Sequence, residues 1–377
     1  MCPLARWGGF SARKIASHDL DIELSAPGVG VHHCLTCGAC ELRCPQGVRY
    51  TEYVRGLREM LPVESRLPVP HGEVLYSAAR SMAGPNAPAK TFEWLDDDLR
   101  VAEKGDVALF VGCAPLFDAT FRADLGIDPL ETARAAVRLM NAAGIEPVLL
   151  AEERCCGHDL TWAGDRDTFE VLARANVQAF ADRGVRRIVT ACAECARTWR
   201  MDYPWAAPGH HFEVQHVAEF VAEALDEGSL APGDGRETTV TYQDPCRLGR
   251  HMGVYDAPRK VIEALPNTDL VEMDRAGKDA LCCGTSGFLN CDAASRKLQA
   301  ERLGNARDTG AEALVTACPK CAIHLTCAQA TARGKGEELP PVRLMDFTVL
   351  AASRLRAGGA RAGIDPPVDG RETGGTR

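Results

Sequence analysis

What this chain of 377 residues does without excludes several classes of function. No apolar run approaches the roughly 18 residues of a membrane span. The first residues, MCPLARWGGFSARK, hold no apolar core of signal-peptide length. Both absences point to a cytoplasmic protein that meets a membrane only through a partner. Positive charge is also short. The 43 Lys and Arg against 52 Asp and Glu leave a net charge of −9, and the basic residues form no stripe. Nucleic acid, which needs concentrated Lys and Arg, is therefore not an expected partner. No G-x-G-x-x-G fingerprint occurs, so flavin or nicotinamide chemistry belongs to another chain.

Cysteine is what the chain has in excess, with 17 residues. In a reducing cytosol they are a poor disulfide framework and a good metal framework, and the odd count leaves any full pairing with an orphan. Residues 34–45 read CLTCGACELRCP, the C-x2-C-x2-C-x3-C-P run of bacterial ferredoxins. Cys34, Cys37, Cys40 and Cys44 are thus candidate ligands of a cubane [4Fe–4S] cluster. In two-cluster ferredoxins the fourth cysteine of a run serves the other cluster, and Cys2-Pro3 supplies a further C-P upstream. Two assignments stay open. Cys2 completes Cys34, Cys37 and Cys40, with Cys44 serving a cluster whose other ligands lie upstream, or Cys44 closes the set itself.

Ten more cysteines fall into two matching sets: Cys113, Cys155, Cys156, Cys192 and Cys195, then Cys246, Cys282, Cys283, Cys318 and Cys321. Gly157 and Gly284 follow the adjacent pairs and permit a turn that points both thiolates one way. IVTACAECARTW and LVTACPKCAIHL align without a gap. The expected architecture is α/β, a duplicated unit with parallel strands, helical crossovers and a pseudo-two-fold repeat, after a small helical N-terminal segment. The expected boundaries are 1–61 for the ferredoxin-type segment, 62–105 for a linker with a helix at 91–103, 106–235 and 236–356 for the repeats, and 357–377 for a disordered tail.

Strands are expected to end at Cys113, Cys192, Cys246 and Cys318, with EPVLL (146–150) and LVEM (270–273) as further strands. Helices are expected over 129–144, 165–184, 193–201, 214–225, 255–265, 293–310 and 319–330. This places five thiolates at the carboxyl edge of each sheet, where open α/β folds bind ligands. The C-x2-C pairs lie at helix starts, whose N–H groups and dipole favour an anionic sulfur-rich centre.

The C-x35-C-C-G spacing from Cys246, and the longer C-x41-C-C-G from Cys113, resemble the cysteine-rich CCG domain of the heterodisulfide reductase family. The resemblance covers about 34–356. It implies that each set holds a noncubane [4Fe–4S] cluster, one or two in all, and that a disulfide is cleaved between them. Electrons would enter at the cubane centre, pass to the noncubane pair and reduce a small-molecule disulfide, or the reverse reaction would oxidise thiols. Similar tandem domains occur in the iron–sulfur subunits of lactate, glycolate and glycerol-3-phosphate oxidation. In that alternative the chain carries electrons from a flavoprotein or other electron-transfer subunit without cleaving a disulfide. Zinc is a third reading, but five cysteines per set is one more than tetrahedral zinc uses.

The remaining Cys291 and Cys327 fit no set and read as buried packing residues. His158 and His324 stand near cluster cysteines, as packing residues or as hydrogen-bonding neighbours of a ligand. Arg247, Arg250 and His251 follow Cys246, facing either an anionic substrate or a partner.

Overall fold

The structure is a computed structural model that describes residues 2–8, 11–18, 31–61, 71–286, 288, 291–336, 339 and 341–358. Of the tail expected to be disordered over 357–377, Ala357 instead ends a strand, and 359 onward lies outside the described residues, as do 19–30 of the N-terminal segment and 62–70 of the linker.

The N-terminal segment is helical. Tyr50–Met60 is an amphipathic helix whose Tyr50, Val54 and Leu57 recur at helical spacing and pack on Ile15, Val31 and Cys34. Arg58, fully buried on the same helix, donates to the backbone carbonyls of Val31 (2.8 Å), Cys34 (2.7 Å) and Trp162 (2.7 Å). It thereby ties the ferredoxin-type loop to the first repeat.

In the first repeat β1 (Val107–Leu109), β2 (Arg187–Thr190) and β3 (Glu213–His216) form a parallel sheet in that order. The repeat ends in β4 (Leu230–Pro232). The second repeat contains β5 (Thr238–Gln243), β6 (Thr268–Leu270), β7 (Ala313–Thr316) and β8 (Arg343–Asp346), parallel in the order β6-β5-β7-β8. By position β5, β7 and β8 repeat β1, β2 and β3. A last strand, β9 (Leu355–Ala357), returns antiparallel to β4 and closes the end of one repeat on the end of the other. One hydrophobic core runs through both. It joins Val137, Met140 and Val221 of the first repeat to Leu314, Phe347 and Leu350 of the second.

Five local expectations are corrected. EPVLL is no strand; Val148 alone makes isolated bridges to Ala102 and Ala108, and Pro147 has no N–H with which to extend a ladder. The second repeat places its equivalent strand at 268–270, two residues before the expected LVEM. The expected helix at 214–225 begins only at Val217, because His216 is an N-cap: its ring accepts the Ala218 N–H at 3.1 Å while Glu219 accepts the His216 N–H at 2.9 Å. Within the expected linker a helix spans Gly72–Ser81, whereas 91–103 forms successive turns, closed by Leu95 N–H to Phe92 and Leu99 N–H to Asp96. Finally, Cys113 is followed by an unforeseen helix, Ala114–Leu125, with proline in its first turn.

Candidate metal centres

Each cysteine set sits where a parallel strand gives way to a helix. Cys192 follows β2 and caps the helix Ala193–Arg197, and Cys318 follows β7 and caps Pro319–Lys335. Gly157 and Gly284 adopt left-handed backbone, φ +77° and +86°. A Cβ at Gly157 would lie 2.6 Å from Phe169, and one at Gly284 would lie 2.9 Å from the Ser295 carbonyl. Both conformation and space therefore require glycine at each CCG turn.

In the first set Cys113 and Cys155 sulfurs lie 3.4 Å apart, and those of Cys156 and Cys195 lie 3.5 Å apart. All five cysteines line one cavity of about 40 Å³. In the second set thiol–thiol hydrogen bonds link Cys246 to Cys282, Cys282 to Cys283, Cys283 to Cys321, and Cys321 to Cys318. The two sets adjoin, because the Cys192 and Cys318 thiols face each other closely enough to shift each other's titration. A third cavity, about 20 Å³, is lined by Cys2, Cys34, Cys37 and Cys40. Cys44 does not line it; it caps the short 3-10 turn Glu41–Arg43. Cys37 reaches beyond its own set to hydrogen-bond Cys282.

All 17 cysteines are free thiols. Cys291 is exposed and Cys327 half-buried, so neither is the buried packing residue expected. Crowding splits the thiols of each set. The Cys282 hydrogen bond holds Cys37 down at about 5, and Cys155 and Cys195 hold Cys156 at about 7. Burial pushes Cys34 and Cys40 up to about 12. Soft sulfur donors converging in this number, with a low-titrating thiol in every set, fit sulfur-ligated iron. A buried guanidinium N–H, Nη2 of Arg250, also lacks a hydrogen-bond partner close to Cys37, Cys246 and Cys282.

The sequence reading missed a polar layer between the sets. Lys320 stands inside the second C-x2-C, at the position that Glu194 occupies in the first, and its ammonium meets Glu194 at 2.6 Å across the seam. It also pairs with Asp159. His158, Asp159 and Glu194 gather as a metal site does, but the Lys320 ammonium already occupies their centre. Arg247, expected to face an anionic substrate or a partner, is buried. It is 2% exposed, lies 4.3 Å over the Trp162 ring, and donates to Thr36 O (2.5 Å), Thr36 Oγ1 (2.7 Å) and His158 Nε2 (3.0 Å). His251 is held beside it against the Thr36 carbonyl. Only the alignment of the two C-x2-C motifs, Glu against Lys, offered a sequence signal for this layer.

A larger cavity, about 550 Å³, runs along the seam of the repeats and shares Pro129, Thr132 and Pro319 with the wall of the first set.

The profile of the CCG family, described as a cysteine-rich domain, matches residues 107–199 and 240–326. A component of the dihydromethanophenazine:CoB–CoM heterodisulfide reductase of Methanosarcina mazei is 33% identical over 304 residues, covering 78% of this chain and 72% of the relative. The chain belongs to the heterodisulfide reductase family of CCG iron–sulfur proteins. Within this family other relatives carry different names. EtfAB:quinone oxidoreductase from Syntrophomonas wolfei is 29% identical over 76% of this chain but only 42% of its own length. A component of the fumarate reductase (CoM/CoB) of Methanothermobacter marburgensis is 29% identical, over 84% of this chain and 62% of its own. The solved structure of a hypothetical protein from Helicobacter pylori superposes with a TM-score of 0.55 at 11% identity, covering 88% of this chain and 62% of that one, and supports the fold alone. The heterodisulfide reductase and fumarate reductase relatives are named as subunits of oxidoreductases. Among the described residues no helix is long and apolar enough to cross a membrane.

Proposed function

We propose that the chain is the disulfide-reducing component of a complex, converting a small-molecule disulfide to two thiols with two electrons and two protons, on electrons from a flavoprotein or another electron-transfer subunit. The observation that carries this reading is the Cys192–Cys318 contact. It sets two complete five-cysteine sites edge to edge, so that the two sulfurs of one substrate reach both. In this reading Cys113, Cys155, Cys156, Cys192 and Cys195 hold one noncubane cluster, and Cys246, Cys282, Cys283, Cys318 and Cys321 hold the other. Cys2, Cys34, Cys37 and Cys40 hold the cubane. When bound, these clusters supply one-electron redox chemistry and iron that binds sulfur.

The chain's own residues do the rest. Pro129, Thr132 and Pro319 line both the seam cavity and the cavity of the first set, so a small molecule in the seam would lie one side-chain layer from the sulfurs. Lys320, held by Asp159 and Glu194, keeps a positive charge in the wall of the first site. Arg58 and Arg247 lock the N-terminal loop onto both repeats.

Iron, zinc and labile sulfide should be measured on anaerobically purified protein, followed by disulfide cleavage with a reduced viologen. About 12 iron atoms per chain and stoichiometric cleavage are expected. Full iron without cleavage favours the second reading, an electron carrier, which the likeness to EtfAB:quinone oxidoreductase and to the fumarate reductase component supports. Zinc in place of iron overturns both.

A further inference from the structure

The two five-cysteine sites match in ligands but not in the charges around them. The first is lined by the carboxylates of Asp159 and Glu194 with the single Lys320 ammonium. Glu153 lies close by, but it is matched by Lys90 and accepts the Gly112 N–H at 2.7 Å. His158 accepts the Arg247 Nε–H at its Nε2 (3.0 Å) and lies 3.0 Å from Asp159 through Nδ1. The second site faces Arg250, while Arg247 lies between the two sites with its Nε on His158 of the first. Arg250 donates to Cys37 O (2.6 Å) and Ala280 O (2.7 Å), and its remaining Nη2 is buried without a partner beside Cys37, Cys246 and Cys282. The nearby carboxylate of Asp244 is taken up by Arg259 at 2.8 and 3.0 Å. An iron–sulfur centre grows more negative on reduction, so neighbouring cations favour its reduced state and carboxylates disfavour it, strongly where water is excluded.

We propose that these residues make the two sites unequal: Arg250 gives the second site the higher reduction potential, Asp159 and Glu194 give the first the lower, and the second site is the one that takes electrons from the N-terminal set. Cys37 touches Cys282 of the second set, and none of the first set's thiols is hydrogen-bonded to the N-terminal cysteines among the described residues. With clusters bound, the N-terminal set would pass one electron to the second site. No bond changes, and dithionite restores the donor in vitro. The inference rests on the reading that both sets hold clusters. Arg250 and Glu194 are positioning residues here, acting through charge on sulfur ligands they neighbour.

The test is an EPR-monitored redox titration of the whole, cluster-loaded chain, with Cys195→Ser and Cys321→Ser used to assign signals to sites. Arg250→Gln should lower the potential of the signal that Cys321→Ser alters, and Arg250→Lys should recover part of the shift. Glu194→Gln should raise the potential of the signal that Cys195→Ser alters by more than it moves the other. Iron and sulfide content is measured on every sample. A wild-type chain without clusters overturns the cluster reading itself. Full iron with both sites titrating together, or with both variants moving the same signal, overturns the inequality alone. If Arg250→Gln loses iron, Glu194→Gln decides, and an unmoved first-site potential rejects the proposal.

Discussion

Arg247 donates from Nε to Nε2 of His158 at 3.0 Å, which joins the residue after Cys246 to the residue after the first CCG. The same guanidinium holds the Thr36 carbonyl in the ferredoxin-type loop. One buried side chain thus touches all three cysteine-bearing segments. Arg247→Met keeps much of the volume over Trp162 but strands His158 Nε2 as a buried acceptor and leaves the Thr36 carbonyl with His251 alone. Such a loss costs about 1–3 kcal/mol, so the variant should lose that much and melt several degrees lower in an anaerobic thermal scan. An unchanged melting temperature would show that the hub is dispensable.

Acid should destabilise the fold earlier than its carboxylates alone require. His216 and His251 are buried, and desolvation lowers both below the ordinary value of 6.5. A group whose folded pKa is depressed contributes stability above its unfolded pKa and loses it as pH falls toward the folded one. For His216 the physical loss is plain: protonation removes the ring lone pair that caps Ala218. Asp346, raised to about 6, and Glu153, also raised by burial, act in the opposite sense. The histidines, joined by His158 and His324, outnumber them. The melting temperature should therefore fall between pH 7.5 and 5.5, and a flat or rising profile would contradict the balance.

The CCG glycines predict a site-by-site loss of iron. Gly157→Ala forces a Cβ into Phe169 at a left-handed residue, and Gly284→Ala forces one into Ser295 and Gln299. Strain of this kind is on the order of 1–3 kcal/mol. It falls on the turn that aims two thiolates, so each variant should lose about four iron atoms, one cluster, and keep the others. Loss of all iron from either variant would argue against independent sites.

The N-terminal cavity separates Cys2 from Cys44. Cys2→Ala should abolish the cubane EPR signal, because Cys2 lines the cavity with Cys34, Cys37 and Cys40. Cys44→Ala should retain it. The reverse pattern would return the fourth position to Cys44.

Cysteine spacing by itself determined the three sets, the duplication and the α/β class, because ligands to one centre must be a few residues apart or sit at the ends of recurring strands. The alternation of apolar runs with helical periods also marked most strands and helices. What escaped the sequence was local where a single atom decided: the missing N–H of Pro147, or the ring nitrogen of His216 that delays a helix by three residues. The larger omissions were contacts between distant residues. Cys37 with Cys282, Cys192 with Cys318 and Cys2 with Cys34 are pairings that only the packing of the N-terminal segment and two repeats could decide. The same is true of charge. Lys320 reads as an ordinary basic residue and Arg247 as one facing a substrate or a partner, and burial at the seam turned both into fixed cations between the cysteine sets. Spacing encodes which atoms can share a centre, whereas the field around that centre depends on which surfaces fold together.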